Sequence, residues 1–267
     1  MRTFLSLNLL VLVAALLAGC SPDSTGGFQG YIEGEYVYLA APLGGALTNL
    51  AVARGDGVKA GQLLFQLERE SEAAAVRQAE KNLAQAEANL ALSESDLARR
   101  EQLRADNGVI SAAELDQAKS RRASDAAQVG SLNDALTKAR WSFDQKQQFA
   151  PTNAFVQDTL YRQGEWVLAG NPVVVLLPPE NLKVRFFVPQ EMLPRIKTGE
   201  NVSVTFDGAT KNYSATVNYI STQAEFTPPV LYNRENRAKL IFSIEAKFSP
   251  ADAAELRPGQ PVDVTLK

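Results

Sequence analysis

The chain has 267 residues, with 27 basic against 30 acidic side chains and a net charge of −3. That length admits one or two ordinary domains or several small ones, and that balance gives no broad attraction to nucleic acid. Histidine is absent and Cys20 is the only cysteine, which removes the commonest general base, the commonest metal ligand, a disulfide framework and a cysteine-based zinc site; no catalytic constellation, cofactor site or metal site is legible, and the chain reads as non-enzymatic.

The amino terminus reads as a targeting segment. Arg2 supplies a positive charge, and Leu5 to Leu17 is apolar apart from Ser6 and Asn8. This stretch is shorter than the roughly 20 apolar residues of a membrane-spanning helix and fits the apolar region of a secretory signal. Its end, Leu17-Ala18-Gly19-Cys20, resembles the bacterial lipobox. The resemblance implies a signal peptide over residues 1–19 and lipidation of Cys20, so that acyl chains hold the protein at a membrane. A plain signal peptide with an incidental cysteine is the alternative. Residues 20–30 are polar and glycine-rich and read as a flexible tether. The simple lipoprotein sorting rule, applied to a chain with Ser21 rather than Asp after the cysteine, leaves the outer membrane open.

Two segments then repeat each other. Ala41-Pro42 is followed by Gly55-Asp56-Gly57-Val58-Lys59-Ala60-Gly61, and 109 positions later Ala150-Pro151 is followed by Gly164-Glu165-Trp166-Val167-Leu168-Ala169-Gly170. Self-similarity at fixed spacing signals a repeated structural unit. Short strand-like patches separated by glycine turns fill both copies, 31–67 and 149–180. Gly55 and Gly57 flank an acid at a tight turn where positive φ is inexpensive only for glycine. Pro42, Gly61, Pro151, Gly164 and Gly170 mark the matching turns. Neither half is large enough to bury a core alone, so the two are expected to pack as one sandwich.

The insert between them, residues 68–148, reads as two helices. Val76, Leu83, Leu90 and Leu97 recur every seven residues, with Ala79, Ala86 and Ser93 three positions after the first three. Leu115, Val129, Leu136 and Phe143 keep the same period, with Ala118, Leu132 and Ala139 as companions. This is a heptad seam. Arg122 and Asp125 stand in it where apolar residues are expected; either they fix register or they reach out to solvent. Asp106-Asn107-Gly108 breaks the pattern, and Ser111 with Glu114 forms a capping box for the second helix. Arms of about 38 residues are roughly 55 to 60 Å long. An antiparallel coiled-coil hairpin is expected.

Residues 181–267 alternate strands and turns. Leu182 to Val188, Val202 to Phe206, Tyr213 to Ile220, Leu240 to Phe248 and Val262 to Leu266 are strand-like, and Pro189 to Lys197 suits a short helix. Antiparallel strands with a short helix predict a small β-barrel.

A split lipoyl-like sandwich interrupted by an α-hairpin, behind a lipobox, resembles the HlyD-type membrane fusion proteins, the periplasmic adaptors of tripartite efflux and secretion pumps. The Ala-Pro…Gly-[Asp/Glu]-x-Val-x-x-Gly halves carry the likeness. It implies a multidomain α+β chain: a lipoyl-like sandwich, a coiled-coil hairpin and a β-barrel domain. Lipoyl and biotinyl carriers present a modifiable lysine where this chain has its coiled coil, so no cofactor attachment is implied.

The resemblance further implies an inner-membrane transporter and a TolC-like outer-membrane channel as partners, a homo-oligomer, by family a hexamer, and an inner-membrane anchor. Many adaptors of RND pumps have a further membrane-proximal domain, for which nothing remains after Lys267; an ABC-type transporter is therefore expected ahead of an MFS or RND one. In RND adaptors the hairpin tip carries an Arg-x3-Leu-x6-Ser pattern. Aligned on Ser111, Arg100 takes the arginine position, but Arg104 stands at the middle one and Leu103 is one residue out of register. Arg100, Leu103, Arg104, Asn107, Gly108, Ile110 and Ser111 are the expected docking residues. Arg99, Arg100 and Arg104 equally suit a solvated helix end, where cations complement the dipole. A surface lipoprotein that captures solutes or metal ions is the alternative of a different class.

Overall fold

The two copies of the repeat share one core because each closes its turn on the other. The structure, a computed structural model, describes residues 27–226 and 240–266 and divides into two units, 36–178 and the residues on either side of it. Residues 1–26, with the signal segment and Cys20, lie outside the described residues.

In the first unit, β2 (Val37–Ala40), β3 (Gly45–Leu50), β4 (Gly57–Val58) and β5 (Leu63–Leu67) precede the hairpin, and β6 (Gln147–Phe149), β7 (Ala154–Thr159), β8 (Trp166–Val167) and β9 (Pro172–Leu177) follow it. They form two four-stranded sheets, β2-β9-β7-β4 and β6-β5-β3-β8. A shift of 109 carries one sheet's strands onto the other's, so each sheet draws on both copies. Leu47, Leu64, Phe65 and Leu67 from one copy and Val156, Val167, Val173, Val174 and Leu176 from the other fill a single core. Neither copy could bury these side chains alone.

The turns make the exchange explicit. Gly55 N–H donates to the Val156 carbonyl (2.8 Å) and Val156 N–H returns to the Asp56 carbonyl (2.8 Å); in the other copy Gly164 N–H donates to Leu47 (2.8 Å) and Leu47 N–H to Glu165 (2.8 Å). The acid closes each turn from within, accepting from Ala53 N–H at Asp56 Oδ2 (2.8 Å) and from Arg162 N–H at Glu165 Oε2 (2.8 Å). Gly55 and Gly164 hold φ of 94° and 93°, the left-handed region where a Cβ is strained. Gly57 differs from expectation. Its φ is not positive and a Cβ there would meet nothing within 4 Å, and its counterpart is Trp166. The acid needs one such glycine, ahead of it.

Between β5 and β6, neighbours in one sheet, the chain runs out through α1 (Glu70–Asn107) and back through α2 (Ala112–Asp144). Every apolar seam position named above is buried or half-buried, as is Ser93, while the surrounding helix positions are mostly exposed. Arg122 is not in the seam: it reaches across to Glu94 (2.9 Å), and both side chains are about half exposed. Arg140 bridges to Glu80 in the same way (2.9 Å). Asp125 is half-buried and lies 4.0 Å from Arg121 on its own helix. Gln147 and Gln148, read as hairpin, belong to β6 instead.

The second unit is a closed barrel of order β1-β10-β13-β12-β11-β14, with β1 (Phe28–Gly34), β10 (Leu182–Pro189), β11 (Asn201–Thr205), β12 (Tyr213–Phe226), β13 (Leu240–Phe248) and β14 (Pro261–Leu266), and the short helix α3 (Pro250–Ala253). Two expectations are corrected here. Phe28–Gly34 is neither tether nor sandwich; it pairs with both β10 and β14 and closes the barrel. Its partners lie some 150 to 235 residues away in sequence, so nothing local announces them. Gly30 looked like linker composition, yet a Cβ there would run into the Arg185 carbonyl and Phe186. The segment Pro189 to Lys197 has only a 3-10 turn at Leu193–Arg195 rather than a helix.

The barrel uses the same turn as the sandwich, twice. Gly199 N–H donates to Val217 and Val217 N–H to Glu200 (both 2.8 Å), while Gly259 N–H donates to Ile32 (2.8 Å) and Ile32 N–H to Gln260 (2.9 Å). Glu200 and Gln260 again accept from the residue three before them, Lys197 and Arg257. Two residues after each acid or Gln comes a buried valine: Val58, Val167, Val202 and Val262. On the barrel wall, Lys183 pairs with Glu35 (2.6 Å) and Glu245 (2.8 Å), and Arg185 with Glu245 (2.7 Å) and Glu33 (3.1 Å).

Candidate functional site

The junction of the two helices is built so that a short apolar loop is held in the open. Asn107 is the last residue of α1, and Gly108 ends the helix in a left-handed conformation (φ 62°) with its N–H on the Arg104 carbonyl (3.2 Å). This is the αL cap that glycine makes at little cost. Three residues on, Ser111 starts α2 with a complete capping box. Glu114 N–H donates to Ser111 Oγ (3.2 Å), and Ser111 N–H donates to Glu114 Oε2 (2.9 Å). The Ser111 hydroxyl and N–H hold the Glu114 carboxyl below its ordinary range. Each helix end thus carries a cap supplied by its own neighbouring residues.

Pinned between the caps, Val109 is 76% exposed, Ile110 is half-buried and Leu103, one turn back on α1, is 42% exposed. Arg104 and Asp106 are exposed beside them, and Arg99 is exposed about two turns back. Arg100 sits differently. It lies along α1 with Nε on Asp96 Oδ2 (2.8 Å) and is about one-third exposed, so it is engaged within its own helix. Leu103, Arg104, Asn107, Gly108, Ile110 and Ser111 thus lie within about one turn of a helix end, with Leu103 and Arg104 exposed, while Arg100 lies two turns back on α1. Val109 was missed by the family pattern. Its signal was available: an apolar residue directly after the helix-ending glycine has no seam to enter. The glycines and prolines of the repeat, Pro42, Gly55, Gly57, Gly61, Pro151, Gly164 and Gly170, belong to the sandwich and its turns.

Among the described residues, no three His, Cys, Asp or Glu side chains gather where a metal ion could bind, and no helix is long and apolar enough to cross a membrane. What the tip offers is a surface: exposed apolar side chains on a pre-formed turn, among charges of both signs, with Arg104, Asp106 and Glu101 exposed on α1 and Glu114 and Asp116 on α2. Such a surface suits an apolar groove that the exposed Val109 and Leu103 can fill.

Residues 75–152 match the family described as the alpha-helical hairpin domain of RND membrane fusion proteins. Over its length the chain is similar to a UPF0194 membrane protein of Enterobacter sp. (strain 638), 25% identical over 97% of this chain and 95% of that protein. Among solved structures its fold resembles the membrane fusion protein Spr0693 of Streptococcus pneumoniae R6, with TM-score 0.64 and 20% identity over 90% of this chain and 97% of that one. It also resembles MacA of Actinobacillus actinomycetemcomitans, with TM-score 0.61 and 16% identity over 90% and 77%.

Proposed function

We propose that this membrane fusion protein is the periplasmic adaptor of an efflux or export system, joining an inner-membrane transporter to a TolC-like outer-membrane channel. The observation that carries the reading is the capped hairpin tip, which holds Leu103 and Val109 exposed, on a hairpin whose sequence matches the adaptor family. An ABC-type transporter stands first as the inner-membrane partner, ahead of MFS and RND types. Cys20 carries the lipid anchor, in the inner membrane by family resemblance, and copies of the chain assemble into a ring, a hexamer on the same resemblance. The adaptor works without chemistry of its own: it seals the conduit and passes conformational change along it.

Contact at the tip is apolar at its centre, through Leu103 and Val109, with charges of both signs around it. Leu103→Glu combined with Val109→Glu places two carboxylates in the contact while touching no buried side chain. Export is expected to be lost with the melting temperature unchanged. A photo-crosslinker at Val109 is expected to capture the channel in cells; capture of the channel only from positions on the barrel would sink the tip-docking reading.

A further inference from the structure

The repeat shows what the fold itself requires where β2 and β6 begin. Counting 109 residues forward sets Val37 against Lys146. Val37 is a partly buried residue packed on the sandwich core, which is the ordinary choice. Lys146 is 4% exposed, and burying an ammonium group is costly unless it is paired. The sandwich does not ask for this lysine, so another part of the chain does.

Its contacts say which. Lys146 Nζ donates to the Gly44 carbonyl (2.7 Å) and pairs with Glu72 Oε1 (3.0 Å). Lys146 itself lies just past the end of α2, Glu72 is in the first turn of α1, and Gly44 leads into β3. Gly45 keeps the space clear, since a Cβ there would stand 3.2 Å from Nζ. One cation therefore ties both helices to a loop of the sandwich.

The geometry of the junction makes such a tie matter. The hairpin joins the sandwich through two neighbouring chain crossings, near Glu68 and near Lys146. Backbone bonds hold the crossings themselves: Leu67 N–H to the Lys146 carbonyl (2.8 Å) and Glu68 N–H to Ala46 (2.7 Å). Arg69 lies over the Phe143 ring (4.3 Å) and joins one helix to the other. Two adjacent crossings still define an axis about which a pair of helices can tilt. On an arm of roughly 57 Å, a tilt of about 10° moves the tip by about 10 Å, more than the depth of a side-chain pocket. The tie from Glu72, inside a helix, through Lys146 to Gly44, in the sandwich, resists that tilt.

We propose that Lys146 is a positioning residue: through Glu72 and the Gly44 carbonyl it fixes the direction of the hairpin on the sandwich, so that the two move as one body. Its effect on export rests on the adaptor reading above; its effect on the hairpin's direction does not. The test uses the full chain, with spin labels on unnatural amino acids at exposed Lys59 in the sandwich and exposed Ala105 near the tip. In the parent chain the distance distribution between them is expected to be narrow. Lys146→Met, and separately Glu72→Ala, should at least double its width while circular dichroism and melting stay near the parent's. Glu80→Gln, which breaks a bridge midway along the hairpin, should leave the width unchanged. Should Lys146→Met fail to fold, Glu72→Ala alone decides, because Glu72 is partly exposed and lies in a helix's first turn. A parent-like width in the folded variants overturns the proposal. In cells, efflux of a fluorescent dye should fall at least fivefold in both variants, and the Val109 crosslink to the channel should weaken with it. A parent chain that supports no efflux would overturn the adaptor reading and leave the distance result standing.

Discussion

The sandwich and the hairpin belong to one folded unit, yet they are held in opposite ways. In the sandwich, Leu64, Phe65, Leu67, Val167, Val173, Val174 and Leu176 are fully buried between two sheets. In the hairpin a single seam does the holding, and only Ala86, Ser93, Leu115, Ala118 and Leu136 are buried among the described residues of the two helices. Two helices can cover only one face of each other, so most of their surface stays open. A region closed on all sides tolerates little and offers nothing to a partner. A region with one seam spends little surface on itself and keeps the rest for assembly.

The contrast can be broken or sharpened experimentally. Phe65→Ala should cost the sandwich about 3–5 kcal/mol, read by urea unfolding; a loss as small as that of an exposed hairpin residue such as Leu92 would erase the distinction. Gly55→Ala and Gly164→Ala should each cost about 1–3 kcal/mol for the strained φ and resemble each other, because their turns are related by the repeat. Gly57→Ala should stay within about 0.5 kcal/mol, and a large loss there would show that the first turn is held differently from the second. Ser111→Ala should cost about 1 kcal/mol, seen as faster hydrogen exchange in the first turn of α2 while the sandwich is unaffected. Glu94→Gln, which removes a half-exposed bridge, should change stability by less than about 1 kcal/mol.

Charge on the barrel wall ties the barrel's stability to pH. Partial burial disfavours the ionised Glu245, but Lys183 and Arg185 outweigh it and hold the carboxyl below its usual range. Burial likewise opposes the Lys183 charge, and Glu245 and Glu35 nevertheless hold the ammonium above its usual range. A depressed carboxyl contributes stability that is complete above its unfolded value, near 4.3, and is lost as pH falls through the lower folded value. A raised lysine contributes stability that is complete below about 10.4 and is lost as pH rises through its higher folded value. The barrel should therefore weaken at both extremes, and Glu245→Gln should flatten its acid limb, measured by thermal melts from pH 7 downward. An unchanged acid limb would assign the acid sensitivity to other carboxyls.

Legibility in the sequence followed the range of the interactions. The seam was read residue by residue because a heptad is a local pattern, and the Ser111–Glu114 box because capping spans four residues. Arg122 broke the pattern for a reason the pattern cannot show: Glu94, its partner, lies on the other helix. The strand Phe28–Gly34 went unread because its pairing partners are distant and its glycines mimic a linker. All four turns were legible as turns, but their shared design was not. Gly-[Asp/Glu/Gln]-x-Val occurs at Gly55, Gly164, Gly199 and Gly259, but only the first two sit in a longer repeat that calls attention to them. At the site, Gly108 and Ser111 were legible through local backbone chemistry. The Arg100–Asp96 pair, an i,i+4 contact on one helix, was open to the same local reading and went unread, whereas the pin at Lys146 depends on where distant side chains go in space.

The antiparallel course of the hairpin also bears on how the chain folds. About 80 residues separate β5 from β6, and closing a flexible loop of that length costs about 1.8 kcal/mol more entropy than closing one of ten. A hairpin that zips from Gly108 downward brings its own two ends side by side and delivers Leu67 and Gln147 to each other as if the intervening residues were few. The insertion then ceases to be an obstacle to the sandwich it interrupts. Folding that begins at the capped turn would make the interruption the assembly guide.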